Sequence, residues 1–247
     1  MTTVQPIRPA ATVILVREAA RSFEIFMLRR TSRASFAGGM YVFPGGRVDG
    51  DDHLHKYDSL RVGPSEMQGA QRSALGTEWR GFWVGSIREC FEEAGLLLAY
   101  AQHGELLSYP DEETRRRFDA YRSPLHSGQM SLWEICEQEN LRLAVDQVHF
   151  YNRFVTPIGR PRRFDTRFFI AQAPPGQTGQ HDDTETVDSI WVSPVAALER
   201  NAAREFDLMN VTRIQLEVLA EFESKQALIE MAANNEHFPI HRPVVQP

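Results

Sequence analysis

Residues 88–95 read RECFEEAG. Three glutamates, an arginine and a cysteine crowd into the approach to a glycine. On a helix, Glu89, Glu92 and Glu93 are related by three and four positions and project from one face. Ile87, Phe91 and Ala94 fall on another face and can anchor the helix in a core. Gly95 can take the left-handed conformation that ends a helix. The segment is thus a rigid support for three carboxylates. Like charges held this close call for a compensating cation. A hard divalent ion prefers carboxylate and water oxygens, and substrate phosphates often complete its shell. The competing reading is a solvated acidic stripe, which composition alone favours.

A second element stands upstream. FPGGRV (43–48) places Pro44, Gly45 and Gly46 directly after a short apolar run, MYVFP (40–44). Glycines there permit close approach of the backbone to a ligand or to another side chain. An ordinary hairpin turn has the same composition.

The rest of the chain reads as mixed α/β. AATVILVR (10–17) and FEIFMLR (23–29) are a buried strand and its hairpin partner. Residues 31–39 read as a loop, and 47–77 as polar, irregular chain without a convincing strand, with a short helix beginning near Pro64-Ser65. A helix runs from about Glu78 to Ala94, followed by the buried run Leu96 to Leu98. Residues 111–145 are mainly helical, interrupted at Pro124 and Gly128. Strands return at 148–157 and 163–173. An acidic, turn-rich loop (174–186) leads to a last strand, VDSIWV (187–192). Ser193-Pro194 caps a short helix. One longer helix is expected from about Asn210 to Ala232, with Ile214, Val218, Leu219 and Phe222 at helical spacing.

With 247 residues, 42% hydrophobic and 24% charged, the chain can bury a sizeable core. A net charge of −6 argues against generic attraction to nucleic acid or an anionic membrane. Cys90 and Cys136 offer neither a metal-ligand spacing nor a disulfide framework. A reducing, cytoplasmic setting is the simpler expectation. The N-terminal stretch has no signal-peptide pattern, and the tail HRPVVQP (241–247) carries no anchor.

Taken together, these segments resemble the signature of the Nudix hydrolases, G-x5-E-x7-R-E-U-x-E-E-x-G-U with U bulky and apolar. RECFEEAGL (88–96) matches its second half, with Cys90 at a position that is usually larger and apolar. Gly46 and Arg88 stand 42 positions apart, where the compact motif separates them by 14, so about 28 residues are inserted. Asp52 occupies the nominal position of the motif's first glutamate. Glu78, after the insertion, is the alternative. The split motif resembles the CoA and acyl-CoA diphosphatase subgroup, as do WRGFW (79–83), FVTP (154–157) and PRRFDTRFF (161–169). The resemblance covers roughly residues 8–200. It implies an α/β/α sandwich of Nudix type with a mixed sheet and helical insertions. On this reading residues 1–247 form one domain, with insertions at about 49–77 and 110–145 and a helical extension at about 209–232.

The resemblance also implies roles. Glu92 and Glu93 would be the main metal ligands. Glu89 would be a further ligand or would position or deprotonate water. The Gly45 carbonyl would complete the inner shell. Arg88 would orient an acidic side chain. A further acid from a later loop is expected, with Glu185 first and Asp182 and Asp183 as alternatives. Arg160, Arg162, Arg163 and Arg167 are candidates for substrate phosphate, with surface ion pairing, for instance to Asp165, as the competing reading. Trp79 and Trp83 read as core residues ahead of an adenine platform, and Trp191 as structural. His53, His55 and His181 form no zinc motif, and Cys90 has no base partner.

The expected activity is Mg2+- or Mn2+-dependent hydrolysis of a nucleotide-containing small molecule, CoA or acyl-CoA, to 3′,5′-ADP and (acyl-)phosphopantetheine. ADP-ribose, NADH or dinucleotide hydrolysis is the alternative substrate class. A noncatalytic nucleotide-sensing domain is the alternative function. The insertions would also suit a homodimer interface.

Overall fold

Strand β1 (Ile7–Glu18) is buried on both faces. Val13 and Leu15 enter one hydrophobic cluster, while Ile14 and Val16 enter another. Its neighbour β2 (Phe23–Arg30) divides in the same way, with Phe26 and Leu28 on the first side and Ile25 and Met27 on the second. A strand covered on both faces needs a layer above and below it. Continuous apolar runs, rather than alternation, are the mark of such a strand.

The computed structural model describes residues 5–243, except 21 and 35. The N-terminal stretch and the C-terminal tail therefore fall partly outside the described residues. After β2 come two short strands, β3 (Tyr41–Val42) and β4 (Gly45–Arg47). The following segment carries two 3₁₀ turns, a short strand β5 (Arg61–Val62), another 3₁₀ turn and helix α1 (Gly69–Leu75). Helix α2 (Trp79–Ala94) bears the glutamates. Then follow β6 (Ala99–Tyr100), α3 (Glu112–His126), α4 (Leu132–Gln138) and β7 (Arg142–Ala144). The chain returns through β8 (Val148–Val155), β9 (Arg163–Gln172) and β10 (Thr186–Val192). It closes with α5 (Pro194–Ala202), α6 (Asn210–Leu219), α7 (Lys225–Ala233) and β11 (Ile240–His241).

The main sheet is mixed, in the order β10-β2-β1-β9-β8-β11, with β3 added to β2 and β4 to β1. β1 runs parallel to β9 and antiparallel to β2 and β4. Helix α2 covers the first face, joined by Phe118 of α3 and Ile135 of α4. Ala197, Leu216 and Leu228 of α5, α6 and α7 cover the other. The architecture is an α/β/α sandwich. A small second sheet, β5-β7-β6, ties the 49–77 segment to the 110–145 segment.

Four expectations change, the first being that β10 is not the last strand, since β11 follows it and pairs with β8 in parallel. The region 47–77 does contain a strand, β5, too short for a sequence pattern to reveal; it pairs with β7 in parallel. The C-terminal helix is two helices, because the chain turns after Leu219 and Ser224 caps α7, its side chain accepting from the Ala227 N–H. Pro124 lies within the last turn of α3 instead of interrupting it.

Candidate active site

Helix α2 is buried on nearly every side. Ser86, Arg88, Glu92 and Glu93 are buried together with Phe82, Trp83, Ile87 and Phe91. Glu92 and Glu93 are 8% and 5% exposed, which rules out the solvated acidic stripe. Gly95, at φ 67°, ends the helix in the left-handed region, and its N–H donates to the Phe91 carbonyl.

The turn of β4 lies under the carboxylates. A Cβ on Gly46 would sit 2.5 Å from Glu89 Oε2, so only glycine leaves room for that carboxylate. The Gly45 N–H donates to Glu93 Oε2 at 2.9 Å. Its amide, rather than its carbonyl, is thus the Gly45 group seen to engage a glutamate.

Charges alternate around the site. Arg88 Nη1 donates to Glu89 Oε1 and Glu92 Oε1, each at 3.0 Å. Nδ1 of His126 lies 3.6 Å from Glu92 Oε2, and its Nε2 lies 4.0 Å from Glu185 Oε1. Arg30 Nη2 donates to Glu185 Oε2 at 3.0 Å, and its Nη1 lies 3.8 Å from Glu93 Oε1. The Arg30 Nε is buried without a hydrogen-bond partner among the described residues. Pairing of β10 with β2, Thr186 opposite Arg30, sets Glu185 beside the glutamates of α2.

Asp52 anchors this arrangement. Fully buried, it accepts from Arg88 Nε and Nη2 at 2.9 Å each, and from the Asp49 N–H at 2.8 Å. Gly85 on α2 makes room for it, since a Cβ there would come 2.9 Å from Asp52 Oδ2. Glu78 is exposed at the start of α2 and takes no part. Of the two acids weighed for the motif's first carboxylate, the structure brings Asp52 to Arg88.

Burial raises the carboxyls. Glu89 and Glu92 are pushed upward by burial, opposed by the Arg88 guanidinium. Glu93 is pushed up to about 8 by burial, opposed by the Gly45 N–H and Arg30. The cations already present leave these carboxyls reluctant to ionise, so the donor set suits a hard divalent ion. Among the described residues, no three such groups form a ready-made ligand cluster. Each of Arg88, His126 and Arg30 stands between two of the four carboxylates.

The loop acids differ in their surroundings. Asp182 accepts from the hydroxyls of Thr184 and Thr186 and from the N–H groups of Glu185 and Thr186. Asp183 is exposed beside His181. Glu185 alone of the three reaches Arg30 and His126.

The arginine candidates separate too. Arg167 pairs with Asp165 at 2.9 Å and stacks on Phe82 at 3.9 Å. Arg163 donates to the carbonyls of Thr156 and Gln5. Arg160 and Arg162 are exposed on the β8–β9 connection. Trp83 is buried, its indole N–H donating to the Val148 carbonyl, whereas Trp79 is half-buried among Arg61, Arg72 and Arg80. Trp191 packs tilted against Phe26, ring centroids 5.0 Å apart. Cys90 is buried and its thiol is pushed up by burial.

Arg30 and His126 were not singled out from sequence. Arg30 closes a strand whose apolar pattern hides it, and His126 lies in an insertion outside the motif.

Known proteins resemble this chain in sequence and in fold. A family model described as the NUDT19 Nudix domain matches residues 65–211. The acyl-coenzyme A diphosphatase NUDT19 of Gallus gallus is 26% identical over 246 residues, covering 86% of this chain and 65% of that protein. The Homo sapiens protein of the same name is 25% identical over 234 residues, covering 83% and 62%. The chain thus spans less than two thirds of the length of these relatives. The crystal structure of a Nudix hydrolase from Alicyclobacillus acidocaldarius shares the fold, with a TM-score of 0.75 at 23% identity over 92% of this chain and 96% of that one.

Proposed function

Because this chain belongs to the Nudix hydrolase family, we propose that it hydrolyses the diphosphate of CoA or an acyl-CoA, releasing 3′,5′-ADP and phosphopantetheine or its acylated form. The carrying observation is the chain of charges in which Glu89, Glu92, Glu185 and Glu93 alternate with Arg88, His126 and Arg30, buried at Glu92 and Glu93 and open to solvent at Glu185 and His126. The names of the curated relatives support the CoA class.

Glu89, Glu92, Glu93 and Glu185 would hold Mg2+ or Mn2+. The bound ion supplies neutralisation of diphosphate charge and a more acidic water. The protein's own part is positional. Arg88, gripped by Asp52, orients Glu89 and Glu92. The β4 turn seats Glu89 against Gly46 and Glu93 on the Gly45 amide. Burial of Arg88, Glu92 and Glu93 strengthens the charge interactions among them. Glu89 is our choice for the residue that positions or deprotonates the attacking water. Arg160 and Arg162, with no carboxylate partner among the described residues, are our candidates for an outer substrate phosphate.

A cytoplasmic setting belongs to the same proposal, supported by two free, buried cysteines. So does a homodimer built on the insertions.

Product formation tests the reading. The protein is incubated with CoA, acetyl-CoA, ADP-ribose, NADH and diadenosine polyphosphates, with Mg2+ or Mn2+, and products are resolved by mass. Metal-dependent 3′,5′-ADP from CoA, lost in Glu92→Gln and Glu93→Gln, is expected. Turnover of ADP-ribose alone overturns the CoA class. Tight binding without turnover of any substrate points to a sensor.

A further inference from the structure

Helix α3 belongs to the 110–145 insertion, outside the glutamate motif. Two of its residues, one turn apart, nevertheless reach the same two pieces of the site. Arg122 donates to the Glu92 and Glu93 carbonyls at 3.1 and 2.9 Å and to the Gln180 carbonyl at 2.9 Å. It joins the end of α2 to the loop that carries Glu185. His126, four residues on, stands between the side chains of the same two segments, its ring nitrogens 3.6 Å from Glu92 and 4.0 Å from Glu185. The i, i+4 spacing places both on one face of α3.

The loop's backbone is pinned where the Thr31 N–H donates to the Glu185 carbonyl at 2.9 Å, which leaves the Glu185 side chain to be placed by its ion-pair partners. Glu185 is 43% exposed, and its other observed ion-pair partner among the described residues is Arg30. The Gln180 N–H donates to the Ala94 carbonyl at 2.8 Å, so the loop docks on the last turn of α2 beside the Arg122 contact. The His126 ring is 46% exposed and stands at the rim of the site. At 3.6 and 4.0 Å its two ring nitrogens face the two carboxylates just beyond direct hydrogen-bond distance.

We propose that His126 is a positioning residue of this site, holding the loop acid Glu185 in register with Glu92, with Arg122 as the bolt that fixes the same two segments. The inserted helix is thereby a wall of the active site. This inference rests on the diphosphatase reading above.

The test combines turnover with a readout that needs none. Wild type, His126→Ala, His126→Gln, Glu185→Gln and the double variant His126→Ala/Glu185→Gln are assayed with CoA and Mg2+. Arg116→Ala, on the exposed side of α3, serves as control. His126→Ala is expected to lower kcat about tenfold, the scale seen when residues supporting ligands are removed, with KM within about twofold. His126→Gln, which keeps an N–H donor, should recover most of the loss. The double variant should be no slower than Glu185→Gln alone, because the two residues act as one unit. Multiplicative losses, or wild-type kcat in His126→Ala, overturn the proposal. In parallel, amide exchange over 178–186 should quicken at least about fivefold in His126→Ala and in Arg122→Ala, while α6 keeps its protection. Unchanged exchange in that loop overturns it whether or not CoA is turned over. Glu92→Gln, assayed alongside with CoA and Mg2+, reports on the diphosphatase reading separately.

Discussion

Asp52 grips Arg88 through both carboxylate oxygens, at 2.9 Å each, across 36 positions of sequence. Both residues are buried, and Arg88 in turn holds Glu89 and Glu92. The inserted segment thus begins by supplying the acid that fixes the orientation of the motif arginine. Removing one partner of a buried pair leaves a charge without compensation. Asp52→Ala is expected to cost about 3 kcal/mol of stability, measured by urea denaturation, and to lower kcat with it. Asp52→Glu, which keeps the charge, should lose less of both. Wild-type stability in Asp52→Ala would refute the anchoring role.

Gly46 sets a steric limit. Since a Cβ there would come 2.5 Å from Glu89 Oε2, Gly46→Ala must displace that carboxylate or the β4 backbone. The atoms met are the far end of the Glu89 side chain, which can swing aside, so the cost falls on the position of that carboxylate more than on stability. We expect a folded protein by circular dichroism with kcat reduced at least about tenfold, on the scale of a misplaced supporting group. Unaltered kcat would show that the Glu89 position does not matter to the reaction.

A divalent ion should stabilise the fold as well as support turnover. An ion bound only to the native state adds about 2.7 kcal/mol at a hundred times its dissociation constant. Mg2+ or Mn2+ should raise Tm in wild type, and chelation should reverse both the rise and the turnover. Glu92→Gln and Glu93→Gln should show a much smaller rise. Equal rises in all three proteins would place the ion elsewhere.

The loop that presents Glu185 should loosen in acid. Asp182 is held at about 2, below its ordinary 3.8: burial raises it, but hydrogen bonds from the Thr184 and Thr186 hydroxyls and from the Glu185 and Thr186 amides lower it further. With the folded value below the unfolded one, this contribution is complete above about pH 4 and is lost as pH falls towards 2. Amide exchange at 184–186, corrected for intrinsic rates, should lose protection over that window. Asp182→Asn should show reduced protection already at neutral pH. Protection independent of pH in wild type would remove Asp182 from that role.

Much of this protein could be read along the chain. Apolar runs at 10–17 and 23–29 marked strands buried on both faces, and RECFEEAG with FPGG marked the helix and turn that form the site. These signals are local: side-chain periodicity and glycine placement express themselves within a few residues. The sequence could not choose between Asp52 and Glu78, or among Asp182, Asp183 and Glu185. Those choices depend on which segments meet, and the meeting is set by β10 pairing with β2 and by the insertion leaning on Gly85 of α2. Nor did Arg30 or His126 carry a sequence signal. One ends an apolar strand and the other ends an inserted helix, and they became site residues only when packing brought both beside buried carboxylates. Local pattern determined which residues could do chemistry; long-range pairing decided which of them stand together.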